Sequence, residues 1–247
     1  MTRRGLIVTF SGLDGCGKST QMDLLAAALA DVSTRSGAAA GFGETRQLWS
    51  RGGYTSGILA VKALARRLIG RKAPKAGPST GRDAAFQRPL VRDLWLVLAI
   101  VDLRRLYGVE LRVRRAMGQV VLCDRYLWDT LADFEVNFPE VDVESWPLWR
   151  LLVAVTPGPD GAFFLDLDVA TAEARAIAKN DPFPEPTSQR TKRHAVYERL
   201  IAAGRFQVLD ALLPKEVIAR RVVESLALGR AIKRVGQNSD WRSPAIF

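Results

Sequence analysis

Residues Gly12 to Thr20 read GLDGCGKST, and this stretch decides the fold of the chain. It fits the pattern G-x-x-x-x-G-K-[ST] through Gly12, Gly17, Lys18 and Ser19. The preceding run LIVTF (6–10) predicts a buried strand, and the helix formers QMDLLAAALA (21–30) follow it. A strand, a glycine-rich loop and a helix in this order are what a phosphate-binding loop requires. The alternative is a glycine-rich turn with an incidental lysine.

The loop predicts a nucleotide site for an electrostatic reason. Glycines let consecutive backbone N–H groups point into one concavity, and the N-terminus of the following helix adds the positive end of its dipole. The Lys18 ammonium would neutralise the β- and γ-phosphates of ATP, and the Ser19 hydroxyl would bind Mg²⁺. The residues that we predict to bind ATP are Gly12, Asp14, Gly15, Cys16, Gly17, Lys18, Ser19 and Thr20.

Length and composition predict one compact domain with no membrane association. The 247 residues are 48% apolar, but the longest nearly uncharged apolar stretch (94–101) is too short to cross a bilayer. The N-terminus does not have the pattern of a signal peptide. Two cysteines and one histidine provide no zinc-type ligand set, and a reduced, cytoplasmic chain explains the cysteines most simply.

The net charge of +10 indicates an anionic partner. Nucleotides, nucleic acids and acidic membranes are all anionic, so the net charge alone does not identify the partner. The chain carries no combination of aromatic and basic residues typical of RNA or DNA binding. We therefore expect a small anionic ligand rather than nucleic acid.

Strand and helix patterns alternate along the chain. Strands are predicted at 6–10, 46–50, 119–123, 162–167 and 206–210, and helices at 21–30, 58–69, 91–117, 146–155, 171–179 and 214–228. This order predicts an α/β fold of the P-loop NTPase type, in which about five parallel strands carry helices on both faces. We expect a single kinase-like domain at 1–228, a small basic lid at about 180–193 and a C-terminal tail at 229–247.

Two segments that follow predicted strands carry candidate phosphate-binding residues. Asp124 and Arg125 lie at the carboxyl end of a strand, where α/β sheets bind ligands. Asp124 would assist Mg²⁺ and the planar Arg125 guanidinium would grip a phosphate, the alternative being a structural ion pair. Arg51 precedes a pair of glycines after another strand, so it either faces a phosphate or belongs to an ordinary turn.

The predicted helix 91–117 has an apolar stripe that contains a carboxylate. Asp102 falls inside this stripe, where a charged side chain is costly unless it is paired or functional. The spacing predicts that the stripe faces the core, and its apolar members are Leu94, Leu98, Leu106, Val109 and Val113.

Residues 180–193 combine three prolines with a cluster of basic residues that includes Arg190 and Arg193. The prolines predict irregular structure between two helices. Such a loop suits a mobile lid that closes over phosphates, and it equally suits an ordinary exposed loop.

Several segments in order resemble the thymidylate kinase family of nucleoside monophosphate kinases. TFSGLDGCGKSTQ (9–21) is similar to its phosphate loop, SRGGY (50–54) to a degenerate form of its Arg-Glu-Pro-Gly-Gly turn, and VVLCDRY (120–126) to its Asp-Arg-Tyr strand end. FFLDL (163–167) with Arg175, and VLDA (208–211), resemble its last two strands. The resemblance extends over about residues 6–226.

This resemblance implies ATP, Mg²⁺, phosphoryl transfer to a nucleoside monophosphate such as dTMP, and often a homodimer. Asp14 would face the acceptor sugar, and Arg51 and Arg125 would hold the acceptor phosphate; Asp102 and Tyr126 fall in matching substrate-binding segments. Family members without an arginine in the phosphate loop carry basic lid residues instead. Gly15 occupies that position here, which assigns the lid role to Arg190 and Arg193.

The acceptor half departs from the family pattern at four positions. The base-stacking phenylalanine and the nearby arginine correspond to Ala99 and Leu103, and the Ala-Tyr-Gln segment corresponds to Ala132, Asp133 and Phe134. A lost hydrogen-bonding arginine could cost about 1.5–3 kcal/mol of binding. Three hypotheses remain open: a dTMP kinase, a P-loop kinase for another small-molecule acceptor, and a nucleotide-binding module without kinase activity.

Overall fold

The structure is a computed structural model, and it describes residues 5–36, 43–49, 86–179 and 185–226. The strands are β1 (Leu6–Ser11), β2 (Thr45–Trp49), β3 (Val120–Asp124), β4 (Gly161–Asp166) and β5 (Gln207–Asp210). The helices are α1 (Lys18–Ser36), α2 (Pro89–Leu103), α3 (Leu111–Ala116), α4 (Leu127–Asn137), α5 (Pro147–Val155), α6 (Val169–Ala178), α7 (Thr187–Ala202) and α8 (Lys215–Ser225). A π-helical segment (Arg104–Glu110) joins α2 to α3, and a 3₁₀ turn (Val143–Ser145) precedes α5.

The five strands form one parallel sheet in the order β2-β3-β1-β4-β5. This confirms the predicted α/β class and, for the described residues, a parallel sheet of five strands. All six residues of the central strand β1 are buried, as expected for a parallel strand covered on both faces. The carboxyl ends of β1, β3 and β4 therefore meet at one edge of the sheet, and the loops that leave this edge form the site described below.

The helices pack in groups around the sheet. Helices α1 and α8 pack against each other, α5 packs against α2 and the π-helical segment, and α7 packs against α4 and α6. A continuous hydrophobic core joins these groups, with Phe10, Phe163 and Trp149 among its most buried side chains. Within the described ranges, no helix has both the length and the apolar character needed to cross a membrane.

Several predicted element boundaries were wrong. We found no pattern for an element after residue 31, yet α1 continues to Ser36. Helix α4 was not predicted, although Leu127, Leu131 and Phe134 are spaced for a buried helix face. Residues 187–193, which we predicted to be irregular, form the first turns of α7. Pro186 immediately precedes that helix, where the fixed φ of proline is compatible with helix entry.

The predicted apolar stripe of the long helix was also wrong for most of its members. Leu94, Leu98, Val109 and Val113 are 40–60% exposed, whereas Leu106 is buried as predicted. The side chains that face the core include Leu96, Ile100, Leu103 and Leu111. The helix carries apolar residues on more than one face, and the π-helical segment changes its phase after Leu103. Regular spacing therefore could not identify the buried face.

Four predicted segments lie outside the described residues. They are the turn at 50–54, the helix at 58–69, the first part of the lid (180–184) and the tail at 229–247. The division into a domain, a lid and a tail thus remains a prediction.

The corrected helix face can be tested by a pair of substitutions. We expect Leu111→Ala to lower the free energy of unfolding by about 2–5 kcal/mol, because it opens a cavity beneath a fully buried side chain. Val113→Ala, at a half-exposed position of the same helix, should change it by no more than about 0.5 kcal/mol. Chemical denaturation measures both values. Equal losses for the two variants would contradict the burial pattern.

Candidate active site

The loop between β1 and α1 holds its lysine close to the main chain. The Lys18 Nζ atom donates hydrogen bonds to the carbonyl oxygens of Gly12 (3.1 Å) and Leu13 (3.0 Å), and it lies 3.6 Å from Asp14 Oδ1. Lys18 is 7% exposed. The first turn of α1 carries no acidic residue that would compete with an anion at its N-terminus. The loop thus has the geometry and the charge of a phosphate-binding site.

Gly15 is the position at which this loop packs against α6. Its φ angle is +94°, and a Cβ atom placed there would lie 2.5 Å from the Ala172 carbonyl oxygen. Both the backbone conformation and the lack of space exclude a side chain at this position. The glycine is therefore required by the local structure, whatever residue the family places here.

The parallel pairing of β1 with β3 brings the Asp-Arg-Tyr segment to the phosphate loop. Phe10 lies opposite Asp124, and the Arg125 N–H donates to the Phe10 carbonyl oxygen at 3.0 Å. The Arg125 Nη2 atom then reaches Asp14 Oδ1 at 2.6 Å. Because Asp14 also lies beside Lys18, one carboxylate connects the lysine of the loop to the arginine of the next strand.

Arg125 is buried and its backbone is strained. It is 3% exposed, and its φ angle of +73° makes it the one non-glycine residue with positive φ among the described residues. Burial alone would lower the pKa of Arg125, but Tyr197, Asp14, Asp133 and other nearby acids raise it well above its ordinary value. The guanidinium is therefore a permanent cation.

Arg190 and Arg193, which we predicted to be lid cations, lie buried at the start of α7, each 1% exposed. The Arg190 guanidinium donates to the carbonyl oxygens of Glu185 (2.9 Å) and Asp14 (3.4 Å), so it reaches the phosphate loop. Arg193 instead pairs with the carboxylates of Asp133 (2.5 Å) and Glu185 (2.8 Å). Arg190 thus contacts the main chain of the phosphate loop, whereas Arg193 is held by two carboxylates.

The two predicted metal ligands lie on adjoining elements. Ser19 is exposed in the first turn of α1, and Asp124 ends β3 opposite the last residues of β1. The Oδ1 atom of Asp124 is buried and has no hydrogen-bond partner within the described residues. An orphaned carboxylate oxygen at this edge of the sheet fits a divalent cation, since oxygen atoms are the ligands that Mg²⁺ prefers.

The remaining predicted site residues have varied surroundings. Cys16 is buried within the loop and Thr20 is exposed at the start of α1. The Tyr126 hydroxyl donates to the Pro157 carbonyl oxygen at 2.9 Å, so it ties β3 to the chain before β4. Asp102 pairs with Arg105 at 3.2 Å, one turn along its own helix. Arg51 lies outside the described residues.

Four residues that sequence reasoning missed take part in this arrangement. Asp129 and Asp133 lie on α4, and Tyr197 and Glu185 lie on or just before α7. Their side chains contact Arg125 or Arg193, or connect to them through one hydroxyl group. The apolar spacing of α4 was the signal that could have placed its two carboxylates on a helix beside the site.

We compared the chain with known proteins. No family model matches it. It is 30% identical over 229 residues to a thymidylate kinase of Solidesulfovibrio magneticus, which covers 88% of this chain and 96% of the relative. It is 32% identical to the thymidylate kinases of Clavibacter michiganensis (88% and 92% covered) and Leifsonia xyli (89% and 93% covered). The chain belongs to the thymidylate kinase family. This confirms the resemblance seen in the phosphate loop and the Asp-Arg-Tyr segment.

The positions at which this thymidylate kinase homologue departs from the family pattern are all buried. Ala99 and Leu103 are completely buried on α2. Phe134 is 1% exposed and makes edge contacts with Trp95 and Trp149, at 6.1 Å between ring centroids in each pair. Apolar packing therefore occupies the positions where the family pattern has an arginine and a glutamine.

The packing of Gly15 on α6 leads to a test of the loop. We expect Gly15→Ala to weaken the binding of magnesium-ATP by at least about tenfold, because the new Cβ would force the loop away from Ala172. Gly204→Ala is the matched control, since Gly204 also has positive φ (+68°) but has open space around it. The control should lose about 1 kcal/mol of stability and keep its ATP affinity. Titration calorimetry measures both affinities, and unchanged binding by Gly15→Ala would contradict the described loop packing.

Proposed function

We propose that this chain transfers the γ-phosphoryl group of ATP to dTMP. The proposal is carried by the position of Asp14, which lies 3.6 Å from the Lys18 ammonium and 2.6 Å from the Arg125 guanidinium. Asp14 therefore lies between Lys18, which is suited to the donor phosphates, and Arg125, which is suited to the acceptor phosphate. The relatives named thymidylate kinase support dTMP as the acceptor.

Catalysis would consist mainly of positioning and charge neutralisation. Lys18 and the backbone N–H groups of the loop would hold the β- and γ-phosphates, and Arg125 would hold the phosphate of dTMP in line with them. Asp14 would contact the acceptor sugar while it orients both cations. Because Lys18 and Arg125 are buried, each cation would stabilise the charge of the transferred phosphoryl group more than it would in water.

Of the two buried arginines of α7, Arg190 is better placed to act on the phosphoryl group. It already contacts the main chain of the phosphate loop at Asp14. Arg193 is held by two carboxylates, so a catalytic role would require it to leave Asp133 or Glu185. We therefore assign the direct electrostatic role to Arg190. Arg193 would tie α7 to α4 and keep Arg190 in place.

Mg²⁺ would be held by the Ser19 hydroxyl and, directly or through water, by the Asp124 carboxylate. When bound, the ion neutralises phosphate charge and aligns the β- and γ-phosphates. No cluster of three or more histidine, cysteine or acidic side chains within the described ranges forms a protein cage for a metal. That fits a Mg²⁺ ion that takes several of its ligands from the nucleotide and from water.

A second acceptor class is favoured by the buried apolar positions of α2. Ala99 and Leu103 provide neither an aromatic ring nor a hydrogen-bond donor to a pyrimidine base. An acceptor bound mainly through its phosphate, by Arg125, would not need them. We therefore keep a different phosphorylated or hydroxylated small molecule as the alternative substrate.

The primary proposal is tested by ADP formation with dTMP and Mg²⁺. The wild-type protein should form ADP at a rate that depends on dTMP, and Lys18→Ala should lose at least about 100-fold, because a preorganised charge is removed. Lys215→Ala, which removes an exposed lysine at the start of α8, should leave the rate unchanged. No turnover of dTMP above the Lys18→Ala background would reject dTMP as the acceptor.

A panel of nucleoside monophosphates and sugar alcohols separates the two acceptor classes in the same assay. Preference for dTMP would exclude the alternative, and turnover of another compound without dTMP turnover would establish it. Affinity for magnesium-ATP without turnover of any acceptor would instead indicate a nucleotide-binding module.

We also propose that the chain forms a homodimer through the outer face of α2. Leu90, Leu94, Leu98 and Val101 follow one face of this helix and are 40–86% exposed. Contiguous exposed apolar residues of this kind are typical of protein interfaces. A second copy of the chain would cover them with the same face.

The dimer is tested by introducing a charge into this face. Leu98→Glu should shift the protein from twice the chain mass to the monomer mass in sedimentation velocity, because a carboxylate would be buried without a partner. Ile177→Glu, at an exposed position of α6, is the matched control and should keep the wild-type mass. A monomeric wild-type protein at micromolar concentration would contradict the proposal.

A further inference from the structure

The Asp129 side chain accepts hydrogen bonds from three separate parts of the site. Its Oδ2 atom accepts from the Ser11 hydroxyl (2.6 Å) and the Tyr126 N–H (2.8 Å), and its Oδ1 atom accepts from the Tyr197 hydroxyl (2.7 Å). Ser11 ends β1 directly before the phosphate loop, Tyr126 belongs to the Asp-Arg-Tyr segment, and Tyr197 lies on α7. One carboxylate thus connects three elements that are far apart in the sequence.

This carboxylate lies in a place where an ionised group is costly. Asp129 is 1% exposed. Burial raises the pKa of Asp129, while Arg125 and the hydrogen bonds from Ser11, Tyr197 and Tyr126 oppose that rise. Three hydrogen-bond donors offset the cost of burying this carboxylate. Its removal would leave those three buried donors without an acceptor.

Asp129 holds the backbone on one side of a strained residue. Arg125 has a φ angle of +73°, a left-handed conformation that is unfavourable for an L-amino acid with a side chain. The backbone N–H of Arg125 donates a hydrogen bond to the Phe10 carbonyl oxygen. The next N–H, that of Tyr126, is held by Asp129. The strained conformation is therefore fixed from both sides.

Asp129 also connects to the guanidinium of the same residue. The Tyr197 hydroxyl, which donates to Asp129, accepts from Arg125 Nη1 at 3.4 Å. The other terminal nitrogen, Arg125 Nη2, donates to Asp14. Asp129 thus restrains the backbone of Arg125 directly and its side chain through one hydroxyl group, and the Ser11 contact fixes both relative to the start of the phosphate loop.

We propose that Asp129 is a positioning residue for phosphoryl transfer, which holds Arg125 in its strained conformation and in register with the phosphate loop. The inference rests on the proposed function, because it assumes that Arg125 binds the acceptor phosphate. Asp129 acts through Arg125 and the loop and does not itself contact either substrate. Its effect therefore differs from that of an ordinary helix-capping residue, whose loss lowers stability but leaves the folded molecules fully active.

The test uses Asp129→Asn, which keeps the shape of the side chain and replaces one acceptor oxygen with a donor. We expect kcat/KM for the acceptor to fall about 100-fold, since small displacements of a positioned group have effects of this size. The KM for ATP should change by less than about threefold, because Lys18 and the loop amides bind the donor. Activity is measured well below the melting temperature and expressed per folded molecule, so that a loss of stability alone does not lower it.

Asp142→Asn is the matched control. Asp142 is exposed and also accepts a backbone N–H bond, from Ser145, so the substitution is chemically the same but lies outside the site. It should leave kcat and both KM values unchanged. Asp129→Asn with wild-type acceptor kinetics per folded molecule would overturn the inference, even if its melting temperature falls.

A double-mutant cycle with Arg125→Gly separates positioning from a general structural effect. Glycine adopts positive φ without strain and has no guanidinium to hold. Asp129→Asn should therefore reduce kcat/KM much less in the Arg125→Gly background than in the wild type. If Asp129→Asn lowers kcat/KM by the same factor in both backgrounds, Asp129 acts independently of Arg125. That result would overturn the inference.

A crystal structure of Asp129→Asn gives a readout that does not depend on the acceptor. We expect Arg125 to leave its positive φ or its contact with Asp14. Retention of both would overturn the inference whichever acceptor the enzyme uses. If the wild type shows no activity with dTMP but the variant structure changes as expected, the proposed acceptor fails and the positioning role of Asp129 stands.

Discussion

The parallel pairing of β1 with β3 is the constraint on which the rest of the site depends. It sets Phe10 opposite Asp124, so the phosphate loop and the Asp-Arg-Tyr segment leave the sheet side by side. The Arg125 N–H is then bonded to the Phe10 carbonyl oxygen, and the Arg125 side chain reaches Asp14 in the loop. A register shift of one residue would turn the side chains of β3 to the opposite face and separate these groups.

The charged groups of the site are buried and held by each other. Lys18, Arg125, Arg190 and Arg193 are each no more than 7% exposed. Asp14 lies beside both Lys18 and Arg125, and Asp129 interacts electrostatically with Arg125. Asp133 and Glu185 form ion pairs with Arg193. Removing one member of such a set leaves an uncompensated buried charge, which is more costly than the loss of an exposed ion pair. The cations of the site are therefore oriented by protein groups.

The sequence was sufficient for the features that depend on local pattern. The glycine loop and its flanks predicted the nucleotide site, and the alternating elements predicted the parallel sheet. The family followed from the loop together with Asp124, Arg125 and Tyr126. These features can be predicted from the sequence because each depends on a few consecutive residues.

The features that depend on tertiary contacts were not predictable in the same way. Arg190 and Arg193 are basic residues in a proline-rich context and suggested an exposed loop, yet pairing with Glu185 and Asp133 allows their burial. The long helix α2 is apolar on several faces, so its spacing did not show which face meets the core. Asp129 was missed because its three donors come from β1, the turn after β3 and α7, which only folding brings together.

The burial of Cys16 and Cys123 has a consequence for following the motions of the protein. Burial raises the pKa of both thiols, so neither forms an appreciable thiolate in the native state, and alkylation requires the chain to open. Cys16 lies in the phosphate loop and Cys123 in the central part of the sheet. The alkylation rate of Cys16 thus reports local opening of the loop, and that of Cys123 reports opening of the sheet. Equal alkylation rates would indicate that both thiols become accessible in one opening event, and a faster rate for Cys16 would indicate that the loop opens without the sheet.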